Sequence, residues 1–200
     1  MPLCPTCGTA SRTQFASPGL VGPIVYEDFD RAADPAWRES GAATVEDYAR
    51  WCGHLCGMTC YQMALGADAP SLFALRDGAL KYGAYTEEDG RIRGMVYAPF
   101  AAYAREAHGV DATVHRHLTV AGIGTLLDEG RRVIASVHFE IRRPHRPAPG
   151  RGGHLVLVTG RTAEGLHFHN PSGVDAATRT ATLTADEFEP FFAGRGVSLR

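Results

Sequence analysis

Apolar and polar positions along this chain change their period near residue 130. Upstream, apolar residues recur at three- and four-residue spacing; downstream, runs rich in β-branched residues take over. Thr44 leads into Val45-Glu46-Asp47-Tyr48-Ala49-Arg50-Trp51, where Thr44 and Asp47 form a capping-box-like pair with Asp in place of Glu, so a helix starts there. A second helix runs from Cys56 to Leu65 and ends at Gly66, with Cys56, Cys60 and Met63 at helical spacing. The pattern predicts further helices over 71–81, 97–107 and 119–129, the last closed by Gly130. Val133 to Phe139, His154 to Thr159 and Gly165 to His169 read as strands.

The first forty residues, punctuated by Pro2, Pro5, Pro18, Pro23 and Pro35, read as irregular. The Pro- and Gly-rich stretch 142–153 reads as a surface loop beside the strand that His154 opens, and its composition permits a lid. Helices first and strands afterwards indicate an α+β fold rather than alternating βαβ units. With 200 residues the expectation is one domain over 1–200: an irregular segment 1–11, a mainly helical part 12–130 and a mainly β part 131–200.

A chain that is 44% hydrophobic can bury a core, and its formal charge of −2 gives no electrostatic case for nucleic acid or an anionic membrane. Arg142, Arg143 and Arg146 are interrupted by Pro and His and read as a solvated loop. No apolar run approaches a bilayer span, and the N-terminus lacks a basic segment followed by an apolar one. Five cysteines are an odd number, so free thiols in a reducing cytoplasm are expected.

A thiolate nucleophile needs positive potential, a nearby imidazole and a group that holds the imidazole in place. Cys56 opens a helix, whose terminus favours an anion, and Gly57 reads as room for close substrate approach. Cys60, one turn on, reads as core; Cys52 is either structural or a neighbour of the site. His154 opens an apolar strand after Gly152 and Gly153, a place suited to acid–base work. Asn170 ends the next strand before Pro171, where an antiparallel pairing brings its amide to the imidazole. Taken singly, each also has an ordinary structural explanation: a core thiol, an edge histidine, a turn asparagine.

The run from Trp51 to Met63 resembles the nucleophile helix of papain-like proteins related to the bacteriocin-processing, double-glycine-leader peptidases, family thirty-nine of the cysteine peptidases. Cys56, Gly57 and Met63 match that family's Cys-Gly, five residues, Met. Gly152 to Gly160 is similar to its histidine strand, Phe168-His169-Asn170-Pro171 to the segment of its third catalytic residue, and Gly194 to Val197 to its closing strand. The likeness spans roughly 12–199. It implies a papain-like α+β fold, an N-terminal helical part carrying the nucleophile helix packed on a C-terminal antiparallel sheet. It implies Cys56 as nucleophile, His154 as base and Asn170 as orienting residue, with Gln14 of Thr13-Gln14-Phe15 as oxyanion donor. Asn at the third position departs from the commoner Asp and brings no charge to an imidazolium.

The implied activity is a cysteine-dependent hydrolase cleaving a peptide or amide bond through an acyl-enzyme, with no cofactor, no metal, and no nucleic-acid or membrane partner. Two alternatives use the same shell: an acyltransferase that intercepts the acyl-enzyme with an amine, and a non-catalytic peptide-binding module. Cys4-Pro5-Thr6-Cys7 is half of a zinc-knuckle pattern with no second CxxC, or a redox pair, or a plain terminal segment. His115-Arg116-His117 and His167-Phe168-His169 each put two imidazoles on one strand face and are expected to be surface or core histidines. Gly122-Ile123-Gly124 lies in a helical stretch and is no nucleotide fingerprint.

Overall fold

Side-chain caps begin the helices close to where their spacing predicts. A computed structural model describes residues 3–200; Met1 and Pro2, the start of the segment expected to be irregular, lie outside the described residues. The first helix, α1 (Val21–Tyr26), interrupts the stretch expected to be irregular, as do short 3-10 turns around it and a bridge between Leu3 and Ala10. Proline is tolerated in a first helical turn, where its missing N–H has no partner to lose, so Pro18 and Pro23 do not forbid these turns.

Thr44 caps α2 (Val45–Trp51) by accepting the Asp47 N–H at 3.1 Å. The box is only half formed, because the Asp47 carboxylate instead takes both guanidinium nitrogens of Arg76 at 2.6 and 2.9 Å. After α3 (Cys56–Leu65), Ser71 caps α4 (Leu72–Lys81), which carries Arg76. A small hairpin, β1 (Glu87–Glu88) with β2 (Arg91–Ile92), precedes α5 (Tyr97–His108) and β3 (Ala112–His115). These three strands lie within the stretch expected to be mainly helical; they are too short to announce a period of two. Thr119 then caps α6 (Val120–Asp128).

The β part follows as β4 (Arg132–His138), β5 (Gly153–Thr162), β6 (Gly165–His169), β7 (Thr180–Leu183) and β8 (Phe192–Leu199), with short α7 (Ala176–Arg179) and α8 (Ala185–Phe188) between β6 and β8. Phe139 does not extend β4; it starts a 3-10 turn to Arg142. The periodicity missed β7 and β8, which are short or broken by Gly194 and Gly196. The main sheet has the order β3-β8-β4-β5-β6-β7 and every neighbouring pair is antiparallel. The fold is thus α+β.

Both sheet faces are covered, which is why its central strands are apolar at consecutive positions. Ile134, Leu155, Leu157, Val197 and Leu199 join a core with α2 to α5. Val133, Ala135, Val137, Val156 and Val158 face the other way, toward Ile123 of α6 and Phe188, Phe191 and Phe192. Alternation along β5 therefore sends successive residues into different cores.

Upstream of the helices, a buried carboxylate clamps the segment that carries Gln14. Asp34 accepts the Ser17 N–H at 3.1 Å, the Ser17 hydroxyl at 2.5 Å and the Tyr48 hydroxyl at 2.5 Å; Tyr48 in turn accepts the Ala16 N–H at 2.9 Å. Burial alone raises the Asp34 carboxyl, but hydrogen bonds from Ser17 and Tyr48 outweigh it and hold the group below its ordinary value. Tyr48→Phe leaves the Ala16 N–H and one carboxylate oxygen short of a partner, so unfolding in urea should show a loss of about 1–3 kcal/mol at unchanged slope. A loss below about 0.5 kcal/mol, within the ordinary effect of a surface change, contradicts the clamp.

Candidate active site

Cys56 is the first residue of α3, and Leu55 ahead of it makes no side-chain cap, so no side chain competes for the first-turn N–H groups. The thiol is half-buried. Desolvation raises its pKa above the ordinary value; the N–H groups of Leu155, Gly57 and Cys56 and the charge of Arg142 oppose that rise. The Leu155 amide at the sulfur puts the thiol beside the residue that follows His154. Gly57 is buried against protein, not open to substrate: a Cβ there meets Leu155 Cδ1 and Met95 Sδ, each at 2.8 Å. Its role is close packing of α3 on β5, correcting the expectation of substrate room.

His154 is 5% exposed and hydrogen-bonds through Nε2 to Asn170 Oδ1 at 2.8 Å. The same Oδ1 accepts the Ser172 backbone N–H at 3.0 Å, which fixes which end of the amide is oxygen. Nε2 therefore carries the hydrogen, and Nδ1 keeps the basic lone pair. Ser172 closes the network: its hydroxyl lies 3.0 Å from His154 Nε2, donates to Asn170 Oδ1 at 3.2 Å, and accepts from Arg142 Nε at 3.0 Å. The predicted pairing of strands delivers this arrangement, since β5 and β6 are antiparallel with Leu157 opposite His169.

Arg142 corrects the reading of a solvated basic loop. Its side chain is buried, with the guanidinium 5.8 Å from the Tyr26 ring centre and 5.4 Å from that of Phe139. No local pattern marks a buried arginine whose hydroxyl partner lies 30 residues away. Ser172 was equally silent, although a serine two residues after a site asparagine is the kind of side chain that bonds back to it. Residues 143–152 do form a loop, leading into β5 through Gly152 and Gly153 at φ +82° and +92°. Those angles favour glycine and explain the pair.

Gln14 is buried and joins the two sides of the site. Its backbone N–H donates to Pro171 O at 2.9 Å, and its Nε2 donates to Cys52 O at 2.9 Å. An amide NH2 has two hydrogens, so this bond uses one of them. Cys52 is structural: desolvation pushes its thiol up to about 12. Cys60 is buried, with its thiol raised well above 9.0 by desolvation, and it donates to Leu155 O at 3.5 Å.

A cavity of about 500 Å³ is lined by Gln14, Phe15, Leu72 and Arg179 among others, but by neither Cys56 nor His154. The candidate thiol and imidazole therefore lie outside the lining of that volume. His167 and His169, expected to be ordinary surface or core histidines, face Cys4 and Cys7. His115 and His117 contribute nothing to the site; His115 bonds Ser198. Among the described residues, no helix is long and apolar enough to cross a membrane.

Burial and the Arg142 charge depress His154 from 6.5 to about 3, against the hydrogen bond to Asn170, which favours protonation. The unfolded chain therefore binds a proton near pH 6.5 that the fold refuses until about pH 3. Stability falls as pH drops through that window, with a slope of about 1.4 kcal/mol per pH unit from this group. Between pH 6 and 4, urea titrations should show His154→Gln losing less stability than the parent; equal losses contradict a buried neutral imidazole. Neither a protein-family model nor a curated protein sequence matches this chain.

Proposed function

We propose that this chain is a cysteine-dependent hydrolase of papain-like design, cleaving a peptide or amide bond through an acyl-enzyme. The observation that carries the reading is His154, held by Asn170 in the tautomer with a basic Nδ1, one residue before Leu155, whose backbone N–H meets the Cys56 thiol at a helix N-terminus. Nδ1 takes the thiol proton as Cys56 Sγ attacks the carbonyl carbon. The oxyanion is met by the Cys56 N–H and the second N–H of Gln14. The intermediate collapses as the imidazolium returns the proton to the leaving amine. Water then attacks the thioester with the same base, releasing the acid and restoring the thiol.

Desolvation favours the neutral forms of both partners, so the resting pair is thiol and imidazole, and proton transfer accompanies attack. Arg142 shifts the balance in a defined direction: it favours the thiolate and disfavours the imidazolium. Asn170, unlike an aspartate, adds no charge to offset that. The chemistry draws on this chain's side chains and water alone. Five free thiols fit a reducing compartment such as the cytoplasm.

A library of fluorogenic peptide amides tests the reading. Cys56→Ala should abolish turnover with little change in thermal midpoint, and Gln14→Ala should lower kcat about a hundred- to a thousand-fold. Undiminished turnover in the Cys56 variant overturns the assignment. The acid limb of kcat/KM should lie below pH 5, because the free enzyme's imidazole is neutral above about 3. Arg142→Gln should move that limb upward, toward 6.5, since removing the cation eases protonation of His154. A limb near 6.5 in the parent, unmoved by the substitution, contradicts the electrostatic role given to Arg142.

A further inference from the structure

The N-terminal CxxC, half of a metal site by its sequence, has its other half in β6. Cys4 and Cys7 sit on a tight turn closed by Gly8 N–H to Cys4 O at 2.8 Å and Cys4 N–H to Thr9 O at 2.9 Å. Gly8 takes φ +67°, which lets the chain reverse after the second cysteine. Across from the turn, His167 and His169 alternate along β6 and share a face. Cys4 Sγ lies 3.2 Å from His167 Nε2, and Cys7 Sγ lies 3.1 Å from His169 Nε2. One ligand atom from each of the four residues falls within 4.8 Å of all the others. Cys4 and both histidines are buried, and Cys7 is half-buried.

We propose that Cys4, Cys7, His167 and His169 bind a zinc ion in a closed, structural Cys2His2 site. Zinc with sulfur at about 2.3 Å and nitrogen at about 2.0 Å makes a tetrahedron with edges of roughly 3.6 Å. The observed spacings bracket that edge, so adjustments on the order of an ångström at the thiols complete the geometry. Two thiolates and two imidazoles are the donor set that selects a tetrahedral zinc over harder cations. His167 is already oriented for the task, because its Nδ1 lies 3.0 Å from Thr182 Oγ1 and its Nε2 is thereby turned to the cysteines. Binding converts Zn2+, two thiols and two neutral imidazoles into a neutral four-ligand complex and releases two protons. All four positions are filled by protein, so the ion holds structure rather than acting on substrate. It fastens the turn at 4–8 to the sheet, only six residues before Gln14.

Full-length protein purified without chelator should contain about one zinc per chain by elemental mass spectrometry. The Cys4→Ser/Cys7→Ser variant should contain none, while Cys56→Ala keeps the metal and so places it away from the nucleophile. The double variant bears on more than folding through a second measurement on the unaltered chain. Zinc stripped by chelator and replaced by Co2+ should give the intense visible bands of a tetrahedral thiolate complex. Iodoacetamide should label Cys4 and Cys7 only after the metal is removed, as mapped by peptide mass. Protein with free thiols that takes up neither Zn2+ nor Co2+ at these cysteines overturns the proposal, as does a Cys4–Cys7 disulfide in freshly purified chain.

Discussion

The site depends on how closely α3 lies along β5. Gly57 permits that approach, since any side chain there collides with Leu155 and Met95 at 2.8 Å. Leu155 and Leu157 fill the seam on this face, and Cys60 reaches the Leu155 carbonyl at 3.5 Å. One position earlier on the same strand, His154 meets Asn170 and Ser172. The pairing of Val137 with His154 and of Leu157 with His169 fixes this arrangement from both neighbouring strands. A slip of one residue would present Leu155 to the asparagine in place of the imidazole, so the register of β5 holds the His154–Asn170 pair as well as the packing.

Burial makes the orienting network firm and also works against charge. A half-exposed histidine would exchange its hydrogen bond with water, whereas His154 has Asn170 and Ser172 within 3.0 Å. The same exclusion of water depresses its basicity, and Arg142 depresses it further. Arg142 is itself costly to bury; its guanidinium is supported by the Ser172 hydroxyl and by the faces of Tyr26 and Phe139. The Arg142 charge therefore favours an anion at the helix terminus over a cation at the imidazole, while desolvation opposes both. Such a bias suits a step whose charge develops on sulfur and on a carbonyl oxygen.

What the sequence disclosed tracks the distance over which each signal acts. Helix caps at Thr44, Ser71 and Thr119 and the glycine stop at Gly66 are local events, and the helices they bound lie within a residue or two of expectation. The pairing of His154 with Asn170 was legible because only one turn separates their strands. Arg142 was misread as solvated because its burial is decided by Tyr26, Phe139 and Ser172, two of them remote in sequence. Gly57 was assigned to substrate because its packing partner, Leu155, lies on a strand nearly a hundred residues away. The partners of the N-terminal cysteines were hidden for the same reason, separated by 163 and 162 residues.

Gln14 shows how an irregular segment becomes rigid. Its backbone is bonded to Pro171, inside the loop that holds Asn170 and Ser172, and its side chain to Cys52, just ahead of the nucleophile helix. Two and three residues on, Ala16 and Ser17 are held by Tyr48 and Asp34. The segment has almost no regular structure of its own, so its order comes from these contacts with the helical part and the β part together. Immobilising a glutamine side chain costs about 1.5–2 kcal/mol of rotamer entropy, and here that cost falls on folding rather than on each binding event. In the proposed reading, an amide positioned in this way needs no rearrangement when negative charge develops before it, which is the condition under which a hydrogen-bond donor lowers a barrier rather than merely binding a substrate.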